Sequence, residues 1–187
     1  MSYKVLIIPE DPTLNGYILR PLLKQILADA GKPKAEIKIL SNPKVQGYNQ
    51  ALQTIKEDLP SIYSHFDLWV FMPDSDRMNS DAKNHLEEAL AQQNINLICS
   101  PAVPEIEIYP CLAYRKEIQD SWKTMRSSDQ FKEEYFAPLI ANHGNPRAPG
   151  NGREAMMRNS LVNPQTLYQF CPELKDLKEQ ISQQIQT

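Results

Sequence analysis

The stretch DLWVFMPDSDR, residues 67–77, decides how this chain folds. Leu68 to Met72 are apolar without a break, the pattern of a strand buried on both faces, and Pro73 stops it. Asp74 and Asp76 then stand one residue apart where that strand should leave the core. Two like charges at such a place need a physical reason.

The neighbouring segments supply the frame. Tyr3–Ile8 (YKVLII) is a second nearly continuous apolar run, Glu36–Leu40 alternates like a strand, and Ile95–Cys99 reads as another. Leu14, Ile18, Leu22, Ile26 and Ala30 recur at helical spacing, with Gly31 closing the helix. Asp11 suits its N-cap and Pro12 its first position, and Pro21 is expected to kink it or delay its regular part. Residues 46–64 predict a second helix, open to a break at Pro60, and Asp81–Gln93 a third with Leu86, Ala89 and Leu90 inward. Strands alternating with helices imply right-handed crossovers and an α/β fold: a three-layer, Rossmann-like arrangement with a mostly parallel sheet of about four strands.

Beyond Ser100 the pattern changes. Pro104 and Pro110 bracket EIEIY (105–109), which reads as a short fifth strand or extended segment. Residues 115–141 predict a helix whose apolar set includes Trp122, Met125, Phe131, Tyr135, Phe136 and Ile140. The loop NHGNPRAPGNGR (142–153) follows, and short helices finish the chain, the last near Pro172–Ile185. No repeat and no long linker divides the sequence. We read residues 1–187 as one domain, an α/β core over 1–112 and a helical extension over 113–187.

Composition narrows the function classes. Of 187 residues, 41% are hydrophobic, which suits a globular protein, and no apolar run reaches the roughly 18 residues of a membrane span. The chain opens directly on a strand-like stretch without a signal-peptide pattern, so a cytoplasmic location is expected. Cys99, Cys111 and Cys171 are odd in number and lack metal-ligand spacing, which predicts reduced, structural thiols. The net charge of −3 is unevenly spread: residues 1–112 hold 10 Lys/Arg against 14 Asp/Glu, and residues 113–160 hold 8 against 6. That is no footprint for gripping a polyanion unaided.

In a parallel sheet the strands point one way, so their carboxyl ends converge on the edge where ligands bind. Glu10 lies just past the first strand and Asp74 and Asp76 just past the third. Crowded carboxylates are relieved by a hard divalent cation with oxygen ligands, Mg²⁺ or Mn²⁺. Glu105 and Glu107 would add to that shell. Arg153 and Arg147, with Arg158, Lys123 and Arg126 near them in sequence, would form a phosphate-binding arm, and Gly150 and Gly152 would let backbone N–H groups approach an anion. His143 lies in the same loop; His65 and His85 fall on predicted helix surfaces and carry no case.

VLIIPEDPT (Glu10) and DLWVFMPDSD (Asp74, Asp76) together resemble the Toprim domain of topoisomerases, primases and related nucleases, over residues 3–100. The layout is most similar to small, stand-alone prokaryotic Toprim-like proteins, with PEIEIY and PGNGR as the later segments. The resemblance implies Glu10 as general acid/base, Asp74 and Asp76 as Mg²⁺ ligands, and metal-dependent cleavage or phosphoryl transfer on nucleic acid. It also implies a protein partner such as an ATPase, in a defence or repair setting. Asp11 stands where the family commonly has glycine, and no catalytic tyrosine motif, zinc module or ATPase domain is present.

Three other readings compete. Haloacid-dehalogenase phosphatases carry the aspartate pair on the first strand with a small β-branched residue after it, whereas here it is third and Arg77-Met78 follow. Glycosyltransferases hold sugar nucleotides through D-x-D and an ion, which would leave Glu10 without a role. A non-catalytic binding or regulatory module within an assembly is the alternative kept.

Overall fold

The computed structural model describes residues 2–186. In chain order the elements are β1 (Lys4–Pro9), α1 (Gly16–Asp29), β2 (Glu36–Ile39), α2 (Tyr48–Glu57), α3 (Leu59–Tyr63), β3 (Leu68–Met72), α4 (Ser80–Ala91), β4 (Leu97–Cys99) and α5 (Ile108–Cys111). A 3₁₀ stretch (Leu112–Glu117), α6 (Trp122–Arg126), a π-helical turn (Lys132–Phe136), α7 (Ala137–His143) and a 3₁₀ turn (Pro149–Gly152) follow. The chain closes with α8 (Arg153–Ser160), α9 (Pro164–Phe170) and α10 (Pro172–Gln186).

The four strands form one all-parallel sheet in the order β2-β1-β3-β4. Side chains alternate across it, as the pleat requires. Val5, Ile7, Val70, Met72 and Ile98 face one layer, built from α1 and the helices after residue 108. Leu6, Ile8, Trp69, Phe71 and Cys99 face the other, built from α2, α3 and α4. The segment after 112 is therefore half of the sheet's cover: Met125, Phe131, Met157, Leu174 and Leu177 lie in the same buried cluster as Val5 and Ile7. All three cysteines are free and buried, and burial pushes their thiols up. No described helix is long and apolar enough to cross a membrane.

Three local expectations are corrected. The first helix begins at Gly16, because Asp11 accepts the Thr13 N–H (2.7 Å) and closes a turn instead of capping the helix; α1 then runs through the buried Pro21. EIEIY is a turn leading into α5: Ile106, Glu107, Ile108 and Tyr109 are all buried, so its alternation marks no two-faced strand. The long helix expected over 115–141 is broken into pieces. Ser121 caps α6 through the Thr124 N–H (3.1 Å), Ser128 accepts the Gln130 N–H (3.1 Å) and restarts the chain, and Pro138 opens α7. The 46–64 helix is broken at Asp58, between α2 and α3, and Pro60 takes a place in the first turn of α3.

Candidate active site

The strands bring the acids together. β1 and β3 are neighbours, with Pro9 paired to Met72, so Glu10 and Asp74 emerge side by side at the carboxyl edge. The Asp74 N–H donates to Glu10 Oε1 (3.1 Å), which replaces the next rung of the ladder with a side chain. Burial raises the Glu10 carboxyl above the usual range, against the Asp74 N–H and Arg77, with Asp76 adding to the rise. Asp74 is raised further, to about 7: burial is the first cause, then Glu10, with Lys132 opposing and Glu105 and Glu107 adding. A carboxyl that titrates there serves proton transfer or cation binding better than it serves stability.

The aspartate pair is split. The Arg77 N–H donates to the Asp74 carbonyl (3.1 Å), closing a turn over 74–77. That turn leaves Asp74 half-buried and sends Asp76 to the surface, where Arg77 Nε sits 3.4 Å from its carboxylate. Solvent and a guanidinium relieve the like charges that the sequence places two apart.

Glu105 and Glu107 reach the same edge because the chain after β4 stays paired to the chain after β3. Ala102 donates to the Pro73 carbonyl (2.8 Å), and Ser75 N–H donates to the Ala102 and Pro104 carbonyls (2.9 and 3.0 Å). Lys132 meets both glutamates, its Nζ 2.6 Å from Glu105 Oε2 and 3.6 Å from Glu107 Oε1. Glu107 is buried, its Oε2 has no hydrogen-bond partner, and burial raises its carboxyl against the pull of Lys132. Burial works against the Lys132 charge, but Glu107 and Glu105 outweigh it and hold the ammonium above its ordinary range. An open cleft of about 560 Å³ lies over this edge, lined by Asp74, Asp76, Arg77, Glu105, Arg126 and Lys132 among others. Lys132 is the residue that sequence reasoning missed. It lies between aromatic residues and glutamates in FKEEYF, a pattern no different from a solvated helix face.

The basic loop is more structural than the sequence suggests. Arg153 stacks over the Phe136 ring (5.1 Å) and donates to the Gly150 carbonyl (3.2 Å), and its Nε is buried without a partner. Burial lowers its pKa, with Glu107 and Asp11 opposing. Arg147 is exposed on the loop and is not part of the cleft wall. Arg126, though at the cleft, is held by a bidentate pair with Glu173 (3.0 and 2.8 Å). Arg158 pairs with Glu154 on its own helix. His143 bonds Glu117 (2.7 Å) and stacks on Tyr114. Gly152 adopts φ +89° against the Gly144–Asn145 backbone, and an added Cβ would lie 2.5 Å from the Asn145 nitrogen. Gly152→Ala is expected to destabilise the protein by about 1–3 kcal/mol, read as a lower urea midpoint at unchanged m.

Among the described residues, no three His, Cys, Asp or Glu side chains are grouped closely enough to form a metal shell by themselves. The donor chemistry nevertheless suits a hard cation. Mg²⁺ keeps several waters and is commonly held by one or two carboxylates, and Asp74 and Glu10 place two carboxyls side by side, both raised chiefly by burial. Compared with known proteins, the chain matches no family model, no curated protein and no solved structure.

Proposed function

We propose that the chain is a Toprim-like, metal-dependent enzyme of the cytoplasm that cleaves phosphodiesters or transfers phosphoryl groups on nucleic acid, with a protein partner such as an ATPase. The observation that carries the reading is the Glu10 carboxylate docked on the Asp74 backbone at the carboxyl edge of a parallel sheet, beside a half-buried acid raised to about 7. Asp74 would hold Mg²⁺ or Mn²⁺, with Glu10 facing the ion's water shell and Asp76 on the same turn toward solvent. Bound there, the ion supplies Lewis-acid polarisation of a phosphoryl oxygen. Glu10, held by the Asp74 N–H and raised by burial, moves a proton to or from the attacking or leaving oxygen. The open cleft admits a chain-like substrate, and Arg77 and Lys132 on its wall offset the acidic surroundings.

Glu10→Gln is expected to lose about 10²- to 10⁴-fold of Mg²⁺- or Mn²⁺-dependent nicking of plasmid or cleavage of single strands. Cleavage surviving at the parent rate in the Gln variant refutes the assignment. The outward turn of Asp76 favours a second reading, a non-catalytic binding or regulatory module. Absence of cleavage by both proteins, with the partner present, would select it.

A further inference from the structure

Glu105 and Glu107 are natural candidates for a second ion, yet a cation of the chain's own already lies between them. Lys132 Nζ is 2.6 Å from Glu105 Oε2, a short charge-assisted contact, and 3.6 Å from Glu107 Oε1. The two glutamate side chains are only 15% and 6% exposed, whereas that of Lys132 is 44% exposed and lines the cleft. Its head therefore bridges a buried acidic floor and open solvent. Lys132 is the first residue of the π-helical turn, whose extra residue resets the direction of a side chain, and the buried Phe131 anchors the chain just before it. Arg153 stacks on Phe136 and makes no ion pair with either glutamate among the described residues. The buried Glu107 Oε2 lacks any hydrogen-bond partner, so Lys132 meets that carboxylate through Oε1 alone.

We infer that Lys132 is the site's built-in second cation: Glu105 and Glu107 hold the lysine instead of a second divalent ion, so the protein takes one ion, on the Glu10–Asp74 side. That single ion rests on the reading given under Proposed function. The lysine presents a compact point charge at the cleft wall, where a non-bridging phosphate oxygen of a phosphodiester can meet it opposite the metal. A divalent ion entering between the glutamates would have to expel the ammonium from a short, largely buried contact, and two ions at once would leave Lys132 repelled by both.

Counting Mn²⁺ by electron paramagnetic resonance and calorimetry tests this on the full chain. The parent and Lys132→Arg are expected to bind one ion each, and Lys132→Met two. Adding Glu105→Gln to Lys132→Met should return the count to one. Two ions in the parent, or the same count and affinity in Lys132→Met as in the parent, overturn the inference; the parent count decides even if the Met variant does not fold. Asp74→Asn reads the other ion separately. If the parent binds none and Lys132→Met binds one, the ion at Glu10 and Asp74 is refuted and the lysine's role stands. If neither binds Mn²⁺, both fail.

Discussion

Asp74→Asn is expected to make the metal-free protein more stable at pH 8 by about 2 kcal/mol, and to leave it unchanged near pH 4. Folding raises the Asp74 carboxyl from 3.8 to about 7, chiefly by burial and then by Glu10. Below the unfolded value both states are protonated and the group is neutral to stability. As pH climbs from about 4 to 7 the unfolded chain releases its proton first, so the folded state loses stability across that window and stays lower above it. A displacement of that size corresponds to about 4 kcal/mol. Water reaching the half-buried carboxyl halves it roughly. Asparagine does not titrate and escapes the loss. Saturating Mn²⁺ should reverse the order, because an ion bound to the native state alone stabilises by mass action, about 2.7 kcal/mol at a hundredfold excess over Kd, and the Asn variant gains little. Urea unfolding at both pH values, with chelator and with Mn²⁺, checks the whole pattern. Equal Mn²⁺ stabilisation of parent and variant would place the ion elsewhere.

A chain ending at residue 112 is expected not to fold. It would keep all four strands and α1, yet lose Met125, Phe131, Phe136, Met157, Leu174, Leu177 and Ile181 from the cluster that covers one face of the sheet. Burying an aliphatic or aromatic side chain contributes about 1.5–3 kcal/mol, and seven such groups contribute about 10–21 kcal/mol, as large as the 5–15 kcal/mol by which a domain is normally stable. Circular dichroism on heating should show no cooperative transition for the fragment. Within the whole chain, Leu177→Ala, fully buried on α10, is expected to destabilise by about 2–5 kcal/mol. A fragment that melts cooperatively would show that the later helices are an appendage.

The sheet was legible in local pattern. Continuous apolar runs at Val5–Ile8 and Leu68–Met72, short and stopped by proline, have the pattern of strands covered on both faces, and the helices between them imply parallel crossovers. The sequence left open whether those two strands are neighbours; once β1 pairs with β3, Glu10 meets Asp74, since neighbouring parallel strands deliver their next residues to one edge. The 115–141 region misled because apolar spacing says which residues turn inward, but Ser121, Ser128 and Pro138 decide where helices stop, by caps that compete with the helix for the same N–H groups. EIEIY misled for another reason: period-two alternation is a strand signal only when one face meets water, and here Glu107 is buried beside the isoleucines.

Residue order alone therefore determined the layered α/β frame and the placing of Glu10 and Asp74 just past strand ends, because these depend on periodicities of two and 3.6 and on chain direction. Tertiary structure alone decided that Asp76 turns outward, that Arg153 is packed on Phe136, and that Lys132 closes on Glu105 and Glu107. Those outcomes depend on where a tight turn, a glycine-rich loop and a π-helical turn set side chains from distant segments against one another. No spacing along the chain encodes a contact across 27 residues that is made only after the layers have packed.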